Sequence, residues 1–202
     1  MAYAKSTATC QRLIQSTAKL LRTRGYAATG LREILQESGV PKGSLYHHFP
    51  GGKEELAAAS LRQAGDSIIA QLALLLDRTD DPAAATRAFC DAYIAQLESS
   101  GFRKGCPLAT VALESAAEID TVHEACSFAF GSITALLARH LEARGVDRRT
   151  AGDAAVYAVS AIEGALLLAK ARRSASPVAV VRDRLAAHLR SIIDEGTEGG
   201  SP

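Results

Sequence analysis

The sequence predicts an all-α protein of about nine helices, and three observations carry that expectation. Aromatic residues are 5% of the 202, Trp is absent, and Gly and Pro number only 16 and 6. A β-sandwich or barrel needs more strand and turn residues than that, whereas abundant Ala, Leu and Arg favour helices. Apolar residues, 48% of the chain, recur at intervals of three and four and are numerous enough to bury a core. No unbroken apolar run reaches the roughly 18 residues of a membrane span. Met1 to Thr9 is small and polar with one Lys, so neither a span nor an export signal is expected, and the cytoplasm is the expected compartment.

Helix one is expected from Ser6 or Thr7 to Arg24, with Cys10, Leu13, Ile14, Thr17, Leu20 and Leu21 on one face and Gly25 as its stop. Thr29 is placed as the N-cap of helix two, Gly30 to Ser38, which buries Leu31, Ile34 and Leu35 and ends at Gly39. Val40 turns inward and Pro41 takes the first position of a short third helix through His48. Pro50, Gly51 and Gly52 break the chain before helix four, Lys53 to about Leu76. The remaining helices are expected over 82–100, 108–117, 119–144, 149–173 and 177–195. The Gly- and Glu-rich end, 196–202, is expected to be a disordered tail.

Helices two and three, joined by a Gly-containing turn, form a helix-turn-helix. Leu31, Leu35, Val40 and Leu45 can pack the pair together, leaving Lys42, Gly43, Ser44, Tyr46 and His47 outward. Small residues at Gly43 and Ser44 would let the backbone approach base edges, with donors alongside for phosphates. Charge is distributed to match. Met1 to Lys53 carries eight basic and two acidic side chains, a local +6, which leaves −5 for the other 149 residues of a chain whose total is +1. Charge alone leaves two readings open, a polyanion-binding head or a basic face that is merely solvated.

Four cysteines, at 10, 90, 106 and 126, are far apart without a CxxC spacing, and reduced thiols are expected. His123 and Cys126 lie one turn apart but lack a third donor at ligand spacing, so no metal and no cofactor are expected. An all-α enzyme is the rival class. It lacks an HExxH, a P-loop, a GxGxxG and any plausible nucleophile-His order. Oxidation of Cys106 or Cys126 in a redox sensor remains a further alternative.

The string TGLREILQESGVPKGSLYHHFPGGKEEL, residues 29–56, resembles the DNA-binding domain of TetR-family transcriptional regulators. Together with GCPLATVALE, Gly105 to Glu114, YHHFPGGKEEL resembles the LmrA/YxaF-like subgroup. One departure is the three residues between Phe49 and Lys53, where the family usually has two. The resemblance implies a DNA-binding domain over 6–66, with its helix-turn-helix at about 30–49, and a helical sensing and dimerisation domain over 67–195. It implies a homodimer on a palindromic double-stranded operator, a repressor released by an aromatic or drug-like effector, although an activator has the same fold. Thr29, Lys42, Tyr46, His47 and Lys53 would contact phosphates, with Pro41, Lys42, Gly43 and Ser44 nearest the bases. His48 could hold the turn or reach a phosphate, and Phe49 would pack between the domains.

In the body, Phe89, Tyr93, Leu97, Leu113, Phe128, Phe130 and Tyr157 are candidate pocket residues, with ordinary core as the other reading. Ala158, Ala161, Gly164 and Ala165, with Val181, Leu185 and Leu189, form stripes on the last two helices. Those stripes would either meet a second copy or close the monomer core.

Overall fold

The computed structural model describes residues 2–198, and among them the regular structure is α-helical throughout, with no strand. The helices are α1 (Ala2–Arg24), α2 (Leu31–Ser38), α3 (Lys42–His48), α4 (Lys53–Thr79), α5 (Pro82–Ser99), α6 (Pro107–Ser115), α7 (Asp120–Glu142), α8 (Arg148–Arg172) and α9 (Ser176–Glu198). α1 thus begins earlier than expected, at Ala2. Two compact units result, Met1–Asp66 with Cys106–Ala129, and Ser67–Gly105 with Phe130–Pro202. The expected division at 66/67 is therefore incomplete: α6 and the first part of α7 belong with the N-terminal helices, because α6 packs on α1.

The first unit is built on Leu13, Leu20, Ile34, Val40, Leu45 and Leu56, with Cys10, Ile14, Leu31 and Leu35 at its edge. Each fully buried Leu or Ile contributes about 1.5–3 kcal/mol relative to exposure. Phe49, expected between the domains, packs in this same cluster. The α2 N-cap is Gly30, not Thr29. Gly30 is extended (φ −91°, ψ 154°), and its N–H donates to Glu33 at 3.1 Å. Gly39 ends α2 in the left-handed region (φ 62°). Pro41 (φ −61°, ψ 146°) caps α3 from outside the helix and is not its first helical residue.

In the second unit α9 packs along α5 and α8. Asp81 caps α5 by accepting the Ala83 N–H at 2.8 Å, with Pro82 next, and Asp147 caps α8 by accepting the N–H groups of Arg149 and Thr150. Arg182 pairs with Asp91 at 2.6 Å and Arg87 with Asp183, joining α9 to α5. These pairs are largely exposed, so each contributes about 0–1 kcal/mol.

One expectation fails here. α9 continues through Glu198, so 196–198 are helical, while 199–202 lie outside the described residues. Within the extension Gly196 passes close to the Gly145 turn: a Cβ there would lie 2.8 Å from the Gly145 carbonyl oxygen, so only a bare backbone fits. α8 is long and apolar enough to cross a membrane, with a mean hydropathy of 1.5 over 18 residues of which 39% are buried. An unbroken apolar run misses it, because a charged residue or two leaves the average high. Its buried face packs against α9, the behaviour of a core helix.

Within the first unit Gly65 of α4 faces Ala129, and a Cβ at Gly65 would lie 2.7 Å from the Ala129 Cβ. Gly65→Ala should therefore destabilise by about 1–3 kcal/mol through overpacking, although Ala is the better helix former by about 1 kcal/mol. Thermal unfolding should show a melting temperature lower by roughly 2–4 °C per kcal/mol. An unchanged or higher Tm would mean the two helices are not in close contact there.

Candidate nucleic-acid interface and sensing cavity

α3 presents a polar outer face because Leu45 is buried while Pro41, Lys42, Gly43, Tyr46 and His47 are exposed and Ser44 is half-buried. Lys42 Nζ lies 5.9 Å from the Tyr46 ring centroid, one turn away. A Cβ at Gly43 would meet nothing within 4 Å, so nothing inside the protein requires glycine there. His48 is half-buried, its ring 5.1 Å from that of His47 and 6.5 Å from Phe49. Of the basic head, Lys19 pairs with Glu37 and Arg24 with Glu33, so both acids are already engaged, while Arg12 and Arg32 are exposed.

Thr29 does not belong to this face. It is fully buried, and its hydroxyl donates to the Gly25 carbonyl at 2.6 Å, so it cannot reach a phosphate. Lys53 is also held differently from the expectation. It is half-buried with its ammonium 3.9 Å above the Tyr26 ring, and this burial pulls its pKa below the usual lysine range, partly offset by the Glu114 charge. The first turn of α4 carries Glu54 and Glu55, and Glu55 accepts the Gly51 N–H at 2.8 Å. That acidic start already complements the helix dipole.

Glu114 of α6 is the functional residue that sequence reasoning passed over. Its Oε2 accepts the N–H of Tyr26 at 2.6 Å and of Ala27 at 3.0 Å, a small anion nest formed as the chain leaves Gly25 at φ 78°. A Cβ on Gly25 would collide with the Glu114 carboxylate. One acid on α6 therefore fixes the turn between α1 and α2, beside the Lys53–Tyr26 stack.

The second unit contains an apolar cavity with walls from α4 (Ile68, Leu72), α5 (Phe89, Tyr93), α7 (Phe130) and α8 (Ile162). Phe89 and Tyr93 meet edge to face at 5.1 Å. Thr86 and Glu163 supply polar groups, and Glu163 is the lone acid in the lining. The centres of water-sized spheres occupy about 30 Å³, room for two or three waters at roughly 10–15 Å³ each. Phe89, Tyr93 and Phe130 thus come together. Leu97 is fully buried but outside the lining, at the end of α5 where its carbonyl accepts the Phe102 N–H. Leu113 and Phe128, 80% and 67% exposed, lie on outer helix faces of the first unit, and Tyr157, 54% exposed, stacks on His188. Those three do not line this cavity.

Comparison with known proteins identifies the family. Residues 13–60 match the model for bacterial regulatory proteins of the tetR family, and 82–184 match the C-terminal domain of LmrA/YxaF-like transcriptional regulators. The chain belongs to the TetR family. It is 36% identical over 180 residues to the HTH-type transcriptional regulator Rv0196 of Mycobacterium tuberculosis (strain ATCC 25618 / H37Rv), covering 87% of this chain and 91% of that one. It is 30% identical over 168 residues to the HTH-type transcriptional regulator LmrA of Bacillus subtilis (strain 168), covering 83% and 89%. Among solved structures, the regulatory protein TetR from Rhodobacter sphaeroides superimposes with a TM-score of 0.78 at 25% identity, covering 88% of this chain and 97% of that one. This TetR-family member is a DNA-binding transcriptional regulator.

The stripes expected at a dimer interface are shifted in phase. Ala158, Ala165, Leu185 and Leu189 are buried inside the second unit, while Ala161 and Val181 are half-buried and Gly164 is exposed. The outward apolar face instead carries Val156, Tyr157, Leu167 and Leu168 of α8 and Val180 of α9. Cys90, Cys106 and Cys126 are buried and Cys10 half-buried. Burial pushes the Cys90 thiol up to about 12 and the Cys126 thiol up to about 11, which disfavours the thiolate that oxidation needs. Among the described residues no three His, Cys, Asp or Glu side chains gather to hold a metal.

Two outcomes follow from this geometry. Glu114→Ala, by leaving the Tyr26 and Ala27 amides to water, should cost about 1 kcal/mol, read as a Tm lower by roughly 2–4 °C, together with weaker DNA binding. Full DNA affinity in the variant would mean the nest does not hold the helix-turn-helix. A thiol reagent at pH 7 should react rapidly with Cys10 alone, the other three requiring denaturant; fast native labelling of Cys106 or Cys126 would revive the redox reading.

Proposed function

We propose that this chain is a ligand-responsive repressor that binds a palindromic operator as a homodimer and leaves it when a small aromatic or drug-like molecule enters the cavity of the second unit. The observation that carries the DNA reading is Gly43, a helical glycine on the exposed face of α3 that no neighbour in the protein requires. A side chain there would hold the backbone away from base edges, so glycine serves a surface that comes from outside. Lys42, Tyr46 and His47 beside it supply phosphate and base donors. Pairing through α8 and α9 is supported by the outward face of Tyr157, Leu167, Leu168 and Val180, a patch better covered by a second copy than by water. A DNA partner makes the cytoplasm its compartment.

Release is supported by the smallness of the cavity. A ligand larger than a few waters must push its walls apart, and Ile68 and Leu72 sit on α4, the helix that begins at Lys53 beside the recognition element. The ligand then favours a conformation other than the one that binds DNA, which is a population shift.

The test is an electrophoretic mobility shift on DNA flanking the gene, with and without a library of aromatic compounds. A specific complex released by one compound is expected. Affinity should fall by roughly 10³–10⁵ between 50 and 200 mM salt if six to ten phosphates are contacted. Lys42→Ala should reduce the salt slope by about one. A salt-independent affinity, or an unchanged slope in that variant, would remove α3 from the interface.

A further inference from the structure

We propose that the cavity of the second unit takes an aromatic ketone, its carbonyl oxygen accepting a hydrogen bond from the Thr86 hydroxyl and its ring packed beside Phe89 and Phe130. The inference rests on the reading of this cavity as the effector site and narrows its chemistry. Thr86, on α5, is only 3% exposed and lines the cavity. Several helical hydroxyls in this protein turn back on their own helix. Thr23, Ser60, Thr79, Thr110 and Thr134 each donate to the carbonyl four residues earlier. Thr86 does not: among the described residues its hydroxyl bonds neither to Pro82 nor to any other group. Thr17 of the first unit shares this lack, but its hydroxyl is closed off in the core. The other polar side chains of the wall with hydroxyl or acid groups, Tyr93 and Glu163, have interactions of their own.

A hydroxyl in such surroundings decides what the cavity accepts. Leaving a buried donor without an acceptor costs about 1–3 kcal/mol, and a polar group that the chain leaves unsatisfied is one that a bound molecule can satisfy. A hydrocarbon ligand would seal Thr86 in with nothing to receive its proton. A ligand oxygen placed there makes the bond that the helix does not. The need is for an acceptor, because buried donors are left unmatched less often than spare lone pairs. A carboxylate would also accept, but no Lys, Arg or His lines the cavity to balance its charge. A ketone offers the same acceptor without the charge. The rest of the wall suits its ring, since Phe89 and Tyr93 already meet edge to face at 5.1 Å and aromatic pairs favour such offset contacts.

The experiment titrates the full chain at pH 7 with acetophenone and with α-methylstyrene, in which a methylene of similar size replaces the carbonyl oxygen. Binding is followed by the methyl NMR signals of Leu72, Ile133 and Ile162 in the cavity wall, which both probes should shift. Thr86→Val keeps the shape of the side chain and removes the hydroxyl. It should weaken acetophenone about fivefold and leave α-methylstyrene unchanged or tighter, while Thr86→Ser should retain the natural ratio of the two affinities. Because no group of the chain loses a hydrogen bond, Thr86→Val should also fold and melt no lower than the natural chain. A lower melting temperature, an acetophenone affinity that Thr86→Val leaves unchanged, or an equal loss for both probes overturns the role of Thr86; wall methyls that still shift keep the cavity as a ligand site. No binding by either probe, or shifts confined to other residues, overturns the cavity reading and this inference with it.

Discussion

The turn from Gly25 to Thr29 is the constraint on which the DNA-binding unit depends. Four elements meet there through groups that have no other role. Gly25 adopts a left-handed φ of 78°, and the Thr29 hydroxyl closes the turn onto its carbonyl at 2.6 Å. Glu114 of α6 holds the next two amides, while Lys53, the first residue of α4, lies over Tyr26. Glu114 and Lys53 thus tie the turn to α6 and α4, and the angle between α1 and α2 is set jointly with them. The aim of α3 follows, since Val40 and Leu45 seat it on Ile34 and Leu13 in one cluster.

The same arrangement explains why α6 and the start of α7 group with the N-terminal helices. Glu114 makes α6 part of the machinery that orients α3, and Ala129 meets Gly65 so closely that neither helix can slide without the other giving way. Close-packed contacts of this kind have few alternative arrangements and pass strain on instead of absorbing it. Phe130, the residue after Ala129, lines the cavity. Two helices, α4 and α7, therefore each carry a cavity-wall residue and a residue of the DNA-binding unit on one continuous backbone.

Much of the fold was legible because helix punctuation is local. Gly25 and Gly39 stop helices, Pro82 and Pro107 stand at helix starts, and apolar spacing fills the rest, so the helices of the described residues were expected within about three residues of their observed ends, apart from the start of α1. What failed was phase and partnership. Ala158, Ala165, Leu185 and Leu189 form a stripe that reads the same whether it meets its own unit or a second copy, and the structure buries it internally. Thr29 looked like a surface hydroxyl, but it turns back onto the Gly25 carbonyl four residues earlier and is buried there. Leu113 and Phe128 carry the right chemistry for a pocket on the wrong helix face. Glu163 did leave a signal, an isolated acid in the apolar run from Ala158 to Ala169. Glu114 left none beyond its place at the end of GCPLATVALE, because an acid on a helix ordinarily faces solvent.

The glycines separate structure from function more sharply than any other residue type here. At Gly25 a side chain would strike Glu114, at Gly65 it would strike Ala129, and at Gly196 it would strike the Gly145 backbone. Each of those positions has its reason inside the protein. Gly43 has none, and neither do Gly131 and Gly164, which are likewise helical, exposed and unobstructed; at all three Ala would be the better helix former by about 1 kcal/mol. Gly43 lies on the outward face of a seven-residue helix, flanked by Lys42, Ser44, Tyr46 and His47, in a DNA-binding transcriptional regulator, and that setting is what supports the proposal that its bare backbone meets the edge of a base pair.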